Sequence, residues 1–236
     1  MQNILIYGAG GFGMEVAWLI EDINRVRPTW QLVGFIDDDA TKWGQKCNGG
    51  LAINSPNILR SLRSPHARAI AIGDSNQRAL LVERLTPLNL FFPTLIHPSV
   101  IMSETTVISE GVIIAAGSIL TVQVKIGSHT HVDTACSVGH QTQLGKYVRL
   151  NPKVSVAGNV SLEDGTYVGS GATIIQGLRV GYNSVIGAGS VVLRNLPENV
   201  VAVGNPAAVI KSSIKYRGAV NDNSHEYLVN FSPAPA

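Results

Sequence analysis

Between Ile96 and Val192 the chain repeats its hydrophobic pattern every six residues. Stepping by six from Ile96 gives Met102, Ile108, Ile114, Leu120, Ile126, Val132, Val138, Leu144, Leu150, Val156, Leu162, Val168, Ile174, Val180, Ile186 and Val192, before Glu198 breaks the series. With apolar residues at 45% of positions, roughly one such run in a million arises by chance, so composition does not produce it. Glycine follows the repeat residue at 127, 139, 145, 169, 181 and 187, and small residues such as Ser118, Thr130, Cys136, Thr142 and Ala172 stand four places on. One inward aliphatic per six residues, with a recurrent glycine, predicts a parallel β-helix in which each hexad is one short strand and a turn. Such a rod buries its apolar column only by stacking coils, so the segment must form one cooperative array.

Residues 1–92 carry a different pattern. "NILIYGAGGFGMEVAWLIED" reads as a short apolar strand, a glycine turn, and a helix with Val16, Ala17, Leu19, Ile20 and Ile23 on one face. "QLVGFIDDD" supplies a second strand ending at Asp37 to Asp39, and "ARAIAIGDSNQR" a third with Gly73 and Asp74 at its carboxyl end. Strands alternating with helices predict a small Rossmann-like α/β sheet, which binds ligands at the carboxyl ends of its strands. Gly8, Gly10 and Gly13 match G-x-G-x-x-G in that context, compatible with a dinucleotide, a nucleotide-sugar diphosphate, or a tight turn without ligand. Fewer than 95 residues hold only about half of a two-part dinucleotide fold, which weighs against a nicotinamide-dependent reductase.

Charge and cysteine change the picture little. A net charge of +2 without a Lys/Arg block gives no footprint for nucleic acid. No apolar run reaches the roughly 18 residues of a membrane span, and no basic segment precedes the first apolar one, so a cytoplasmic location without membrane contact is expected. Cys47 and Cys136 lack the paired spacing of a zinc site or a disulfide framework. His129, His131 and His140 are spaced two and nine residues apart, which does not suit ligation from separate coils, and no metal is expected. His66 and His97 read as surface or loop residues.

The segments "GAGGFG", "GFIDDD", "SVGH", "SVAGNV" and "VAVGNPAAVIK" together resemble the hexapeptide-repeat sugar acyltransferases grouped with the sialic acid O-acetyltransferases, including the bacillosamine and perosamine N-acetyltransferases. The resemblance spans roughly residues 3–212. It implies a left-handed β-helix over residues 93–212 with three hexads per triangular coil and a nucleotide-sugar-binding domain over 1–92. The tail over 213–236 has no hexad and ends in Pro and Ala, so at most a short helix before an extended or loose end is expected there. It further implies an acetyl-CoA co-substrate, a homotrimer with active sites between subunits, and work in surface glycan biosynthesis such as lipopolysaccharide O-antigen.

In that family the histidine of "SVGH" is the catalytic base, here His140. It sits two places after Val138, off the inward column, and steps of three hexads reach Gly158 and Gln176 at the same offset. A base for the attacking amine and a donor for the oxyanion are what acyl transfer from a thioester requires. Gly158 N–H is the expected donor, and Gln141 the partner for the other imidazole nitrogen, where relatives often have Asp or Glu. Backbone at Gly158, Gly171, Ala172 and Gln176, with the closing segment Gly204, Asn205 and Pro206, is expected to receive the coenzyme. Gly8, Gly10, Gly11, Phe12, Gly13, Asp37, Asp38, Gly73 and Asp74 are expected to hold the nucleotide, Phe12 replacing a histidine of the bacillosamine-type enzymes. Arg149, where some members carry a second histidine, either holds an anionic group of the substrate or sits solvated. The expected reaction is N-acetylation of a nucleotide-linked amino sugar; the alternatives are O-acetylation of a sugar or sialic acid, the nicotinamide-dependent reductase, and a catalytically silent trimeric scaffold.

Overall fold

The computed structural model describes residues 1–47, 51–61 and 67–213. His66 and the segment after 213 therefore lie outside the described residues.

The first apolar run forms strand β1 (Gln2–Tyr7), and the glycine turn leads into helix α1 (Gly11–Val26). Then follow β2 (Trp30–Ile36), the short β3 (Lys46–Cys47) and β4 (Leu51–Asn54), α2 (Ile58–Ser61), β5 (Ala67–Ile70) and α3 (Ser75–Leu85). The sheet order is β3-β4-β2-β1-β5, with β1 parallel to both β2 and β5. Its carboxyl edge thus has β1 at the point where successive connections leave in opposite directions, the place where such sheets bind ligands. The β3–β4 pair is an addition to the predicted strands.

From Leu95 the chain winds into a left-handed β-helix of two-residue strands. The register is direct: Ile101, Ile119, Ser137, Ser155, Thr173 and Val191 pair in succession, each three hexads on from the last. Each coil therefore has three sides. Face I comprises the strands starting at 95, 113, 131, 149, 167 and 185, face II those starting at 101, 119, 137, 155, 173 and 191, and face III those starting at 107, 125, 143, 161 and 179. Every repeat residue from Ile114 to Val192 is buried in one apolar column, whereas Met102 at the open first coil is 43% exposed. Two last strands, 200–203 and 208–212, pair antiparallel and close the far end.

The recurrent glycines serve contact between coils. A Cβ added at Gly139 would collide with the backbone of Ala157 and Gly158, and one at Gly127 with Gly145. Left-handed backbone falls instead two residues further on, at the second turn residue, as at Gln141 (φ 60°) and Asn159 (φ 54°). The small residues four places on use their hydroxyls inside the coil: Thr142 Oγ1 donates to Ala157 O (2.9 Å) and accepts from Val160 N–H (3.3 Å).

The α/β sheet packs on face I. Leu95 and Ile113 of the rod share a buried cluster with Ile4, Val16, Ile20 and Phe35. Arg78 of α3, fully buried, joins the two parts: its guanidinium donates to the carbonyls of Ile72 and Gly73 on one side and His129, Tyr147 and Val148 on the other. The positions 78, 81, 82 and 85 share the apolar face of α3, so the sequence does place an arginine where leucine is the rule.

Candidate active site

His140 and Gln141 form the turn between faces II and III, and both are exposed. The stack continues through hydrogen bonds from Gln141 N–H to Val122 O, Asn159 N–H to His140 O (2.6 Å) and Gly177 N–H to Gly158 O (3.0 Å). His140, Gly158 and Gln176 therefore lie in line along one edge of the rod. His140 Nδ1 lies 3.3 Å from Gln141 Oε1. A carbonyl oxygen only accepts, so this contact puts the ring proton on Nδ1 and leaves the Nε2 lone pair free. The imidazole lies directly over Gly158, and a Cβ at 158 would occupy the space of Nε2. Gly158 thus makes room for the imidazole, and its N–H has no acceptor among the described residues.

Two of the residues expected along the His140 edge, Gly171 and Ala172, stand elsewhere on the rod. Gly171 lies at the corner between faces I and II, not on the His140 edge, because it follows Gly158 by less than a full coil. Its N–H donates to Pro152 O, while Ala172 is buried with its N–H on Gly169 O and its carbonyl accepting from Ser155. Those backbone groups are already committed within the rod. Gly204, Asn205 and Pro206 make the exposed turn between the two closing strands, with Gly204 O accepting from Val191 at the end of face II.

At the other site the glycine turn crosses the carboxyl edge of the sheet. A Cβ at Gly13 would strike Gly8 O, so this glycine permits close helix-to-strand packing, while Gly10 and Gly11 face open space. No side chain caps α1 at Gly10, which leaves first-turn amides available to an anion. Asp37 braces the turn: its carboxylate accepts from Ala9 N–H (2.8 Å) and Asp39 N–H (2.9 Å) and meets Lys42 at 3.2 Å. Asp38 is held by Tyr7 OH (2.7 Å) and Arg84 (2.8 Å). Burial, reinforced by that bond, holds the Tyr7 phenol well above its ordinary range, so it acts as a donor. Asp74 caps α3 by accepting from Gln77 N–H, and Gly73 begins the same loop. Tyr7, Arg78 and Arg84 were not among the sequence-derived site residues. Only Arg78 carried a signal, its place on the apolar face of α3.

Phe12 and Arg149 have become one contact. The Arg149 guanidinium lies 4.1 Å over the Phe12 ring, and the side chain is buried beside face I, paired to Asp133 at 2.6 Å. Arg149 is therefore neither solvated nor open to a substrate, since the α/β part covers it. Beside it His131 and His129 are also buried, His129 stacked on Tyr147 and edge-on to Phe92. His97, expected on the surface or in a loop, lies in the loop after the first β-helix strand, half-buried and bonded to Asp22 of α1 (3.1 Å).

Burial and the Arg78 charge bring His129 down to about 4, and burial with Arg78 and Arg149 holds His131 well below its ordinary value. Both are neutral in the fold and protonate more readily when unfolded, so their contribution is complete above about pH 6.5 and is lost as pH falls toward 4. The unfolding midpoint should therefore drop by on the order of 5–10 °C between pH 7.5 and 5, measured by thermal melts. A midpoint independent of pH over that interval contradicts the buried neutral pair.

Three comparisons bear on this arrangement. Residues 3–85 match the model of the PglD N-terminal domain. The chain is similar to the GDP-perosamine N-acetyltransferase of Escherichia coli O157:H7, with 31% identity over 220 residues, 88% of this chain and 96% of that protein. Among solved structures, PerB from Caulobacter crescentus in complex with CoA and GDP-perosamine superposes with a TM-score of 0.80 at 29% identity, covering 89% of this chain and 98% of that one. WeeI from Acinetobacter baumannii gives 0.80 at 30% identity over 89% and 100% of the two chains.

Proposed function

The chain belongs to the hexapeptide-repeat sugar acyltransferase family that includes the bacillosamine and perosamine N-acetyltransferases, and on that premise we propose that it transfers the acetyl group of acetyl-CoA to the amino group of a nucleotide-linked amino sugar. The observation that carries the reading is the His140 edge: an imidazole with one nitrogen on Gln141 Oε1 and the other free, over a glycine whose N–H has no acceptor among the described residues. His140 Nε2 takes the proton of the attacking amine. As the C–N bond forms, the thioester carbonyl oxygen becomes an oxyanion that Gly158 N–H stabilises, and collapse breaks the C–S bond to release the CoA thiolate, which regains a proton from His140. A neutral Gln141 stabilises imidazolium less than a carboxylate does, which suits an amine better than a hydroxyl acceptor.

The nucleotide is held at the carboxyl edge of the sheet, with its diphosphate over the first-turn amides at Gly11 and Gly13 and its remainder beside Asp38 and Gly73. This edge belongs to the part packed on face I, whereas His140 stands at the opposite corner, between faces II and III. A sugar held by one copy therefore reaches the His140 of another, which supports a homotrimer with shared sites in the cytoplasm, where both cysteines stay free thiols. The test is thiol release from acetyl-CoA against UDP-, dTDP- and GDP-linked amino sugars and free sialic acid. Turnover confined to nucleotide-linked amines is expected; acylation of free sialic acid alone overturns the reading.

A further inference from the structure

Helix α1 runs down the rod. Phe12 at its start lies against Arg149 (4.1 Å) and near His131 (5.1 Å), whereas Asp22 bonds His97, two coils below the level of Asp133. Glu15 stands between them, one turn below Gly11 and on the same side of the helix. It is exposed, and its carboxylate makes no hydrogen bond or ion pair with the described residues. Its charged neighbours on the rod are Asp133 and Arg149. Those two satisfy each other at 2.6 Å, and the second oxygen of Asp133 accepts from Thr134 N–H (2.8 Å), so Glu15 is the uncompensated charge of the group. The cover that the rod gives it, and then the Asp133 charge, raise its carboxyl above the ordinary range, as befits a carboxylate partly desolvated without a partner.

Height along the rod connects Glu15 with His140. Asp133 and His140 belong to one coil, seven residues apart. Copies of the rod related by a threefold axis along their length keep each coil level, so Glu15 of the copy that holds the nucleotide stands level with His140 of the copy next to it. With the diphosphate on the first-turn amides, the attached sugar reaches about one helical turn, roughly 5 Å, down to Glu15.

Resting on the reading that His140 is the base and the glycine turn holds the nucleotide, we propose that Glu15 accepts one N–H of the acceptor amine and so selects an amino sugar over its hydroxyl counterpart. A primary amine carries two protons and one lone pair. One N–H points to His140 Nε2 and the other to Glu15, which leaves the lone pair aimed at the thioester carbon. The C–N bond forms from that pair and the C–S bond breaks. The proton that leaves nitrogen goes to His140, and the one that stays on the amide keeps its bond to Glu15. A hydroxyl has a single proton, so it serves only one of the two acceptors and strands the other without a donor.

Kinetics of the wild type, Glu15→Ala and Glu15→Gln test the inference, with the nucleotide-linked amino sugar that turns over best and with the matching nucleoside diphosphate (GDP, UDP or dTDP) as a sugar-free inhibitor. Glu15→Ala should lower kcat/KM for the amine by about 10-fold or more, while Glu15→Gln, whose carbonyl still accepts, should stay within about 5-fold of wild type. Inhibition by the nucleoside diphosphate and affinity for CoA should be unchanged in both. An alanine variant as active as wild type overturns the inference and leaves the reading of the two sites standing. An equal weakening of nucleoside diphosphate inhibition also overturns it, since that marks a role in the glycine turn. A wild type that acylates no nucleotide-linked amine overturns both.

Discussion

His140→Ala lowers kcat for acetyl transfer by about 10²–10⁴-fold and leaves CoA affinity unchanged, read by thiol release and by titration of the coenzyme. The size follows from what is lost. Without an imidazole, water must take the proton of the attacking amine, while the oxyanion donor proposed at Gly158 and both proposed binding sites persist. The exposed turn tolerates alanine, because His140 uses its backbone for the stack (its carbonyl accepts Asn159 N–H) and only its ring for chemistry. A loss below about 3-fold shows that another group takes the proton.

The second large effect is on stability. Arg78→Met keeps the volume but removes the guanidinium that joins α3 to the rod, leaving the carbonyls of Ile72, Gly73, His129 and Tyr147 without their donor in a buried seam, while Val148 O keeps His131 N–H. Burial and the nearby Arg149 charge bring Arg78 down to about 9, so it remains charged at neutral pH, and its solvation comes from those carbonyls. Removing it should cost about 3–5 kcal/mol in urea unfolding and loosen the α/β part from face I. A cost below about 1 kcal/mol contradicts the account of the seam.

The hexad was legible because each inward residue is apolar regardless of what lies outside the rod. That regularity fixed neither the coil length nor the corners. Once the register gives three hexads per coil, Gly158 and Gln176 fall on the His140 edge and Gly171 on another, which is why the expected coenzyme line divides between two corners. Outward positions were the least legible. Arg149 and Ser137 both immediately precede a repeat residue and look alike in sequence, yet Arg149 is buried by the α/β part and Ser137 is exposed. Only packing between the two parts, made by Phe12 and Arg78, decides this. In the α/β part the long β1 and the amphipathic α1 were clear, while β3, two residues long, is too short to show an alternation.

The central claim is that one copy holds the acceptor while His140 of another removes its proton. Gly10→Leu provides the complementary defect, because Gly10 faces open space with φ of −91°, so leucine fills the nucleotide position without touching the fold. Each variant alone, Gly10→Leu or His140→Ala, should be inactive in acetyl transfer. Co-refolded at equal amounts into mixed trimers, they should recover about one quarter of wild-type activity, the fraction of sites that pair an intact glycine turn with an intact His140. Mixed assemblies that remain inactive contradict a site shared between copies.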